Sequence, residues 1–359
     1  MTMMLGCCGA DDAEGGRGRA WLITRRRALA ALACSGGMLP RGARADDPYP
    51  PLLQDLVVAE APGAGGIHYV LGHPGVPAEA NEGHTSNAGF VVTDEGVVVF
   101  DTLGTPSLGW RLLQKIRQTT PQTPRFVVLS HYHADHIYGL QAFRDHSDAV
   151  IVAQTKALDY DTPGNTEDEE AAPRLAQRRQ ALAPWVNAST RIVEPSVTFS
   201  QQSDLLLGGR RFLLLYAGPA HSMSDSMMFI EPDGVLFAGD IVQNSRIPFM
   251  ASAAVNTGNW LRGLEEVARL KPRFIIPGHG SPSSDAASAI AFTRDYIRYV
   301  RTAMQRAVDS WTDFDTAYAQ TDWTPYQRLP AFNATNRGNA YRVFLEIEGG
   351  SFGGGKPSQ

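Results

Sequence analysis

The chain has 359 residues, 43% of them hydrophobic and 19% charged, with a formal net charge of −5. That length supports one large domain or two small ones, and the composition excludes a disordered chain and a membrane bundle. The acidic balance argues against nucleic acid as a partner.

In chain order, the first element is a leader. Thr24-Arg25-Arg26-Arg27-Ala28-Leu29 runs into a short apolar stretch ending at Leu39, and Ala43-Arg44-Ala45 follows. A basic start, a short apolar middle and an A-x-A end describe an export signal over 1–45, cleaved after Ala45. The consecutive arginines are similar to a twin-arginine signal, with Ala28 and Ala30 where that pattern prefers Phe and Lys. The apolar stretch falls well short of the ~20 residues a membrane span needs, so no stable span is expected after cleavage, and the expected location is the periplasm. Cys7, Cys8 and Cys34 all lie in this leader, which leaves the mature chain without disulfides or thiolate ligands. Seven arginines against three acids give the leader +4, so the formal −5 becomes −9 without it.

Short strands are expected at Leu56 to Glu60, Gly66 to Leu71, Ala88 to Thr93 and Val97 to Asp101, the last two joined as a hairpin through Asp94-Glu95-Gly96. Thr105-Pro106 caps a helix from Pro106 to about Thr119, with Leu108, Leu112 and Ile116 on one face. The apolar run Phe126 to Leu129 is a buried strand, and a helix from about Tyr138 to Arg144 follows. A strand at Ala149 to Ala153 precedes a polar segment. There Glu167 to Glu170, then Arg174, Arg178 and Arg179, read as a solvated helix face, and helix Ala172 to Asn187 carries Leu175, Leu182 and Trp185, which either cover a site or pack. Further strands are expected at Ile192 to Phe199, Leu205 to Leu207, Arg211 to Tyr216, Ser226 to Ile230, Val235 to Gly239 and Phe274 to Ile276, with helices at Trp260 to Leu270 and Ala286 to Trp311. The expected division is leader 1–45, catalytic domain 46–311 and a C-terminal extension 312–359, whose Gly-rich end from Gly349 to Gln359 is expected to lack order.

Between the Phe126 to Leu129 strand and the next helix stands Ser130-His131-Tyr132-His133-Ala134-Asp135-His136. Imidazole and carboxylate donors form a set that suits zinc, or another divalent transition metal such as iron or manganese. Side chains alternate in extended backbone, so His131 and His133 point the same way, and Asp135 and His136, beyond the bend, turn to a neighbouring position. Two metals are implied. His221 completes the first, His279 joins Asp135 and His136 at the second, and Asp240 bridges with two oxygens; each follows an apolar strand. Two divalent ions, two aspartates and a bridging hydroxide leave one net positive charge, which favours a small-molecule substrate with a polarisable carbonyl or an anionic group. Asp101, closing its strand, either orients a ligand histidine through its second ring nitrogen or caps the turn. Ser222, Ser224 and Asp225 either support the site or form the turn. His84 is read as a solvent histidine, His68, His73 and His146 have no motif context, and Met223, Met227 and Met228 are read as core.

His131-Tyr132-His133-Ala134-Asp135-His136, then His221, Asp240 and His279 in this order, resembles the metallo-β-lactamase superfamily from about Ile67 to His279. The resemblance implies an α/β (α+β) chain folded as an αββα sandwich with C-terminal helices, and the ligand roles above. Gly218-Pro219-Ala220-His221-Ser222, Leu236 to Asp240 and Ile276 to Gly280 are similar to glyoxalase II, and Gly338 to Glu348 resembles exported hydrolases linked to sulfur oxidation and quinoprotein systems. The commonest β-lactamase subclass places a cysteine in the second metal site; Asp240 stands in that stretch here. The expected function is an exported binuclear zinc hydrolase in which Asp135 and Asp240 position a metal-bridging hydroxide for attack on an ester, thioester, lactone or amide carbonyl. The alternatives are β-lactam hydrolysis, iron-dependent persulfide-type oxygenation, and a non-catalytic accessory role in a periplasmic oxidation pathway.

Overall fold

The computed structural model describes residues 6–7, 47–161 and 171–352. The expected leader lies outside the described residues except for β1 (Gly6–Cys7), and so do the acidic run 167–170 and residues 353–359.

The first half builds one sheet in chain order: β2 (Val58–Glu60), β3 (Ile67–Val70), β4 (Ala88–Thr93), β5 (Gly96–Phe100), β6 (Pro124–Val128), β7 (Val150–Gln154) and β8 (Val197–Phe199). Pairing is antiparallel from β2 to β5 and parallel from β5 to β8. Parallel neighbours need crossovers. They are α1 (Pro106–Thr119), then α2 (Ala134–Ile137) with α3 (Leu140–His146), and beyond β7 α4 (Ala171–Ala181). The α1 boundary follows from its cap: Thr105 Oγ1 accepts from the Leu108 amide at 3.2 Å and Pro106 needs no partner for the donor it lacks.

A second sheet contains β9 (Gln202–Leu207), β10 (Arg210–Tyr216), β11 (Ser226–Glu231) and β12 (Val235–Phe237) as an antiparallel meander. A small parallel pair joins β13 (Gln243–Asn244) to β15 (His279–Gly280), and β14 (Phe274–Ile276) lies parallel to β12, while β1 pairs with β9. Helices α5 (Thr257–Leu270), α6 (Ala286–Asp309), α7 (Phe314–Gln320) and α8 (Phe332–Phe352) complete this half.

Strand periodicity makes three cores. Val98, Phe100, Phe126 and Val128 meet Phe212, Leu214, Met228 and Ile230 between the sheets, while Val97, Val99 and Val127 turn to the α1 side. Leu213, Met227 and Phe229 turn the other way, onto the layer of α5, α6 and α8. The result is the expected αββα sandwich. Close approach of the sheets requires a glycine at Gly89, where a Cβ would stand 2.2 Å from Phe237 Cε1.

Several elements differ from expectation. The motif does not stay in a loop up to Tyr138: residues 134–137 form a helical turn, α2, because the Tyr138 amide bonds back to the Ala134 carbonyl. The strand expected from Ile192 begins at Val197, after Glu194-Pro195. Helix α4 stops at Ala181, three residues before Pro184. Gly349 to Phe352, expected to lack order, belong to α8, which docks through Ala340, Val343, Phe344 and Ile347.

Candidate metal centre

The predicted ligands are gathered along one edge of the two sheets. His131 and His133 follow β6, Asp135 and His136 sit in α2, His221 precedes β11, Asp240 follows β12, and His279 begins β15. Three groups of donor atoms lie within 4.8 Å of one another: His131, His133 and His221; Asp135, His136 and His279; and His131, His136 and Asp240. Asp240 lies between the first two. Its Oδ2 is 3.1 Å from His221 Nε2 and 3.4 Å from His279 Nε2, and its Oδ1 is 3.3 Å from His136 Nε2. Gly278 makes room for that carboxylate, since a Cβ there would stand 2.0 Å from Asp240 Oδ1.

The second ring nitrogens fix which atoms face inward. His136 Nδ1 donates to Asp101 Oδ2 at 2.8 Å, His221 Nδ1 to the Phe249 carbonyl at 2.9 Å, and His279 Nδ1 to the Thr85 carbonyl at 2.7 Å. Asp101 also accepts from the Ser130 amide at 2.8 Å and hydroxyl at 2.7 Å, so the Ser130 oxygen is left to accept from His131 Nδ1 at 2.9 Å. One carboxylate therefore orients two histidines, from a left-handed backbone at φ 58° that aspartate tolerates better than most residues. His133 is turned the other way, with Nδ1 inward, 2.8 Å from His221 Nε2.

Buried His131 Nε2 and Asp240 Oδ1 have no hydrogen-bond partner among the described residues, an arrangement expensive in a protein interior unless a cation is bound. Five imidazoles and two carboxylates converging with lone pairs inward fit divalent transition metals. Electrostatics agree. Burial, then the neighbouring histidines His136 and His133, push His131 well below its ordinary value; burial and then His221 do the same to His133. Burial also opposes charge on His136, but Asp240, Asp101 and Asp135 outweigh it and hold that imidazole well above its usual range. Burial would raise Asp240, yet His279, His221 and His136 hold it well below the carboxylate range.

Asp135 keeps 17% of its side chain exposed, at the floor of a cavity of about 190 Å³. A larger groove of about 750 Å³ between α6 and α7 has none of the clustered histidines among its lining residues. Arg174 and Arg178 of α4 line the cavity by the cluster, so the helix face expected to be solvated turns partly inward; Leu175 and Leu182 pack in the core and Trp185 donates to the Pro51 carbonyl at 3.0 Å. His84 is half-buried rather than solvent-facing, and burial lowers it to about 4. Asp225 accepts from the Ser222 amide at 2.7 Å and hydroxyl at 2.9 Å, which fixes the turn next to His221. Met227 and Met228 are core, and Met223 packs beside it.

Sequence reasoning missed several supports. Gln243 donates to Asp240 Oδ2 at 3.1 Å and accepts from buried Arg246 at 3.1 Å. Thr85 Oγ1 donates to Asp135 Oδ2 at 3.3 Å. Asn339 of α8 donates to the Pro248 carbonyl and accepts from the Met250 amide, both at 2.6 Å, clamping the residues on either side of Phe249. Gln243 stands three residues after Asp240, a spacing the sequence displays; backbone acceptors carry no side-chain signal.

A linear primary-alkylsulfatase from Pseudomonas sp. (strain ATCC 19151) is 21% identical over 236 residues, covering 57% of this chain and 44% of its own length. The probable metallo-hydrolase YqjP of Bacillus subtilis (strain 168) is 24% identical over 208 residues, covering 51% of this chain and 62% of its own. The chain thus spans about half the length of the curated relatives it matches. Among solved structures, the stereoselective inverting sec-alkylsulfatase Pisa1 from Pseudomonas sp. superposes with a TM-score of 0.61 at 17% identity, over 84% of this chain and 52% of that one. The metallo-beta-lactamase family protein TTHA1429 from Thermus thermophilus gives 0.55 at 19% identity, over 79% and 94%. These likenesses show the fold. The model of the metallo-beta-lactamase superfamily matches residues 81–279, more than half of the sequence, and the chain belongs to that superfamily.

Proposed function

We propose that this protein is a hydrolase working through two divalent metal ions, zinc first among them. His131, His133 and His221 would hold one ion, Asp135, His136 and His279 the other, with Asp240 shared. The observation that carries the reading is the fixed orientation of the histidines: His131, His136, His221 and His279 are held through Nδ1 from outside the cluster and present Nε2 to it. Bound ions of this kind acidify a water toward neutral pH and polarise the substrate's bond.

The chain's own groups do the rest. Asp240, buried and tethered by Gln243, keeps its two oxygens directed at both histidine groups. Asp135, held by Thr85 and partly exposed, is the carboxylate nearest the substrate space and is positioned to hold the attacking water's proton or return it to the leaving group. An ester, thioester, lactone or amide carbonyl suits this chemistry, and the alkylsulfatase relative adds a sulfate ester to the bond classes. Export of a cleaved precursor to the periplasm belongs to the same proposal, supported by the order of residues in 1–45; cell fractionation checks it, and a full-length cytoplasmic product would refute it.

His133→Ala and Asp135→Ala are each expected to abolish hydrolysis by the metal-loaded protein across an ester, thioester, lactone, β-lactam and sulfate-ester panel. Far-UV circular dichroism should remain that of the wild type. Retained turnover in either variant would refute the assigned roles.

A further inference from the structure

We propose that Arg246 is a positioning residue that couples the cavity rim to the metal centre. One guanidinium sets the Gln243 amide that holds Asp240 and also pins the 72–77 loop, so metal affinity and seating of the rim rise and fall together. The inference rests on the metal centre of the hydrolase reading and deepens it by naming what joins that centre to the substrate space.

Arg246 is 4% exposed, and its fork reaches in three directions. Nε donates to the Pro74 carbonyl at 3.0 Å, Nη2 to the Gly75 carbonyl at 3.2 Å and Nη1 to Gln243 Oε1 at 3.1 Å. A guanidinium carries donors only, so the oxygen of the Gln243 amide must face it, and the NH2 is left to face Asp240 Oδ2 at 3.1 Å. The backbone of Gln243 is fixed separately. It pairs with His279 between β13 and β15, and Thr293 Oγ1 accepts from its amide at 3.0 Å and donates to its carbonyl at 2.7 Å. What is left to decide is which way the side-chain amide points, and Arg246 decides it.

The other two bonds reach the rim. Pro74 and Gly75 lead into Val76 and Pro77, which line the cavity together with Asp135 and Asp240. The start of this loop is tied to the segment that supports the second ligand group: the Gly72 amide donates to Asn87 Oδ1 and the His73 amide to the His84 carbonyl, both at 2.9 Å, beside the Thr85 carbonyl that holds His279. Burial opposes the charge on Arg246, while Asp240 and Asp135 favour it. Divalent ions on those carboxylates would repel the guanidinium. A cation acting through charge alone would therefore weaken metal binding, whereas a fork acting through Gln243 strengthens it. Lysine separates the two as well, since it keeps the charge and loses the planar fork.

Zinc affinity by chelator competition, and hydrogen exchange of the 72–78 segment by mass spectrometry, test the coupling on the full chain. Arg246→Ala should weaken zinc binding about tenfold or more, and Arg246→Lys should follow it rather than the wild type. Combined with Gln243→Ala, Arg246→Ala should add little further loss, because both act through one contact. Zinc should slow exchange of the 72–78 segment in the wild type, and Gln243→Ala, which removes only the acceptor of Arg246 Nη1, should speed it. If Arg246→Ala does not fold, Arg246→Lys and Gln243→Ala give the same readouts. Tighter zinc binding by Arg246→Ala, wild-type affinity in Arg246→Lys, additive losses in the double variant, or exchange that neither zinc nor Gln243→Ala alters would overturn the inference. Coupling as stated without turnover of any ester would fail only the hydrolase reading; turnover with additive losses would fail only the coupling.

Discussion

Four histidines of the cluster are held from behind, by a serine hydroxyl, a carboxylate and two backbone carbonyls, and the kind of holder decides what could be read in advance. The clustered histidines and aspartates could be singled out because metal binding calls for particular side chains. Asp101 was legible as one of two readings, and its bonds to His136 and Ser130 favour the orienting one. The Thr85 and Phe249 carbonyls were not, since every residue has one. Gln243 is the support to test at this scale. Gln243→Ala removes the side-chain amide that donates to Asp240 Oδ2 from its own loop, and zinc affinity should fall about 10–100-fold in a chelator competition. An unchanged affinity would contradict its positioning role. Protonation gives a second prediction. Asp240 and its fellow carboxylates raise His136 and, after the cost of burial, Asp240 raises His279, so the metal-free protein carries protons on ligands that a metal must displace. Because the empty state binds more protons than the loaded one, affinity should weaken as pH falls through and below neutrality, and zinc titrations in buffers of different ionisation enthalpy should show proton release at pH near ~7. Proton uptake would contradict the sign.

Among elements, α1 was legible to the residue because Thr105-Pro106 writes its start and Leu108, Leu112 and Ile116 write its face. The four-residue α2 lacks such a pattern; its backbone turns to place Asp135 and His136, with Asp101 and Thr85 holding it from either side. C-terminal helices were expected, but the reach of α8 into the Gly-rich end was not. Its glycines suggested looseness, while Ala340, Val343, Phe344 and Ile347, at helical spacing, were the signal that α8 packs. That packing reaches the site through Asn339, which fixes the residues flanking Phe249, whose carbonyl in turn orients His221. Asn339→Ala should cost about 1–3 kcal/mol in chemical denaturation, because the Met250 amide is left buried without its partner. It should also weaken zinc binding, and rescue of that affinity by excess zinc would separate a loosened site from a misfolded chain.

At the scale of the molecule, strand alternation and the order of the ligands carried the architecture: two sheets face each other through Phe100, Phe237 and their neighbours, and their shared edge collects residues more than a hundred positions apart. What the sequence concealed was the inward turn of α4, since Arg174 and Arg178 look like any solvated basic face until the cavity is seen. The two histidine groups joined by Asp240 are the proposed metal centre, and native mass spectrometry of the zinc-loaded full chain addresses them most directly. The wild type should carry about two ions per chain, and His221→Ala and His279→Ala about one each, lost from different positions. A single ion in the wild type, or one variant that keeps both ions, would contradict the two-metal centre.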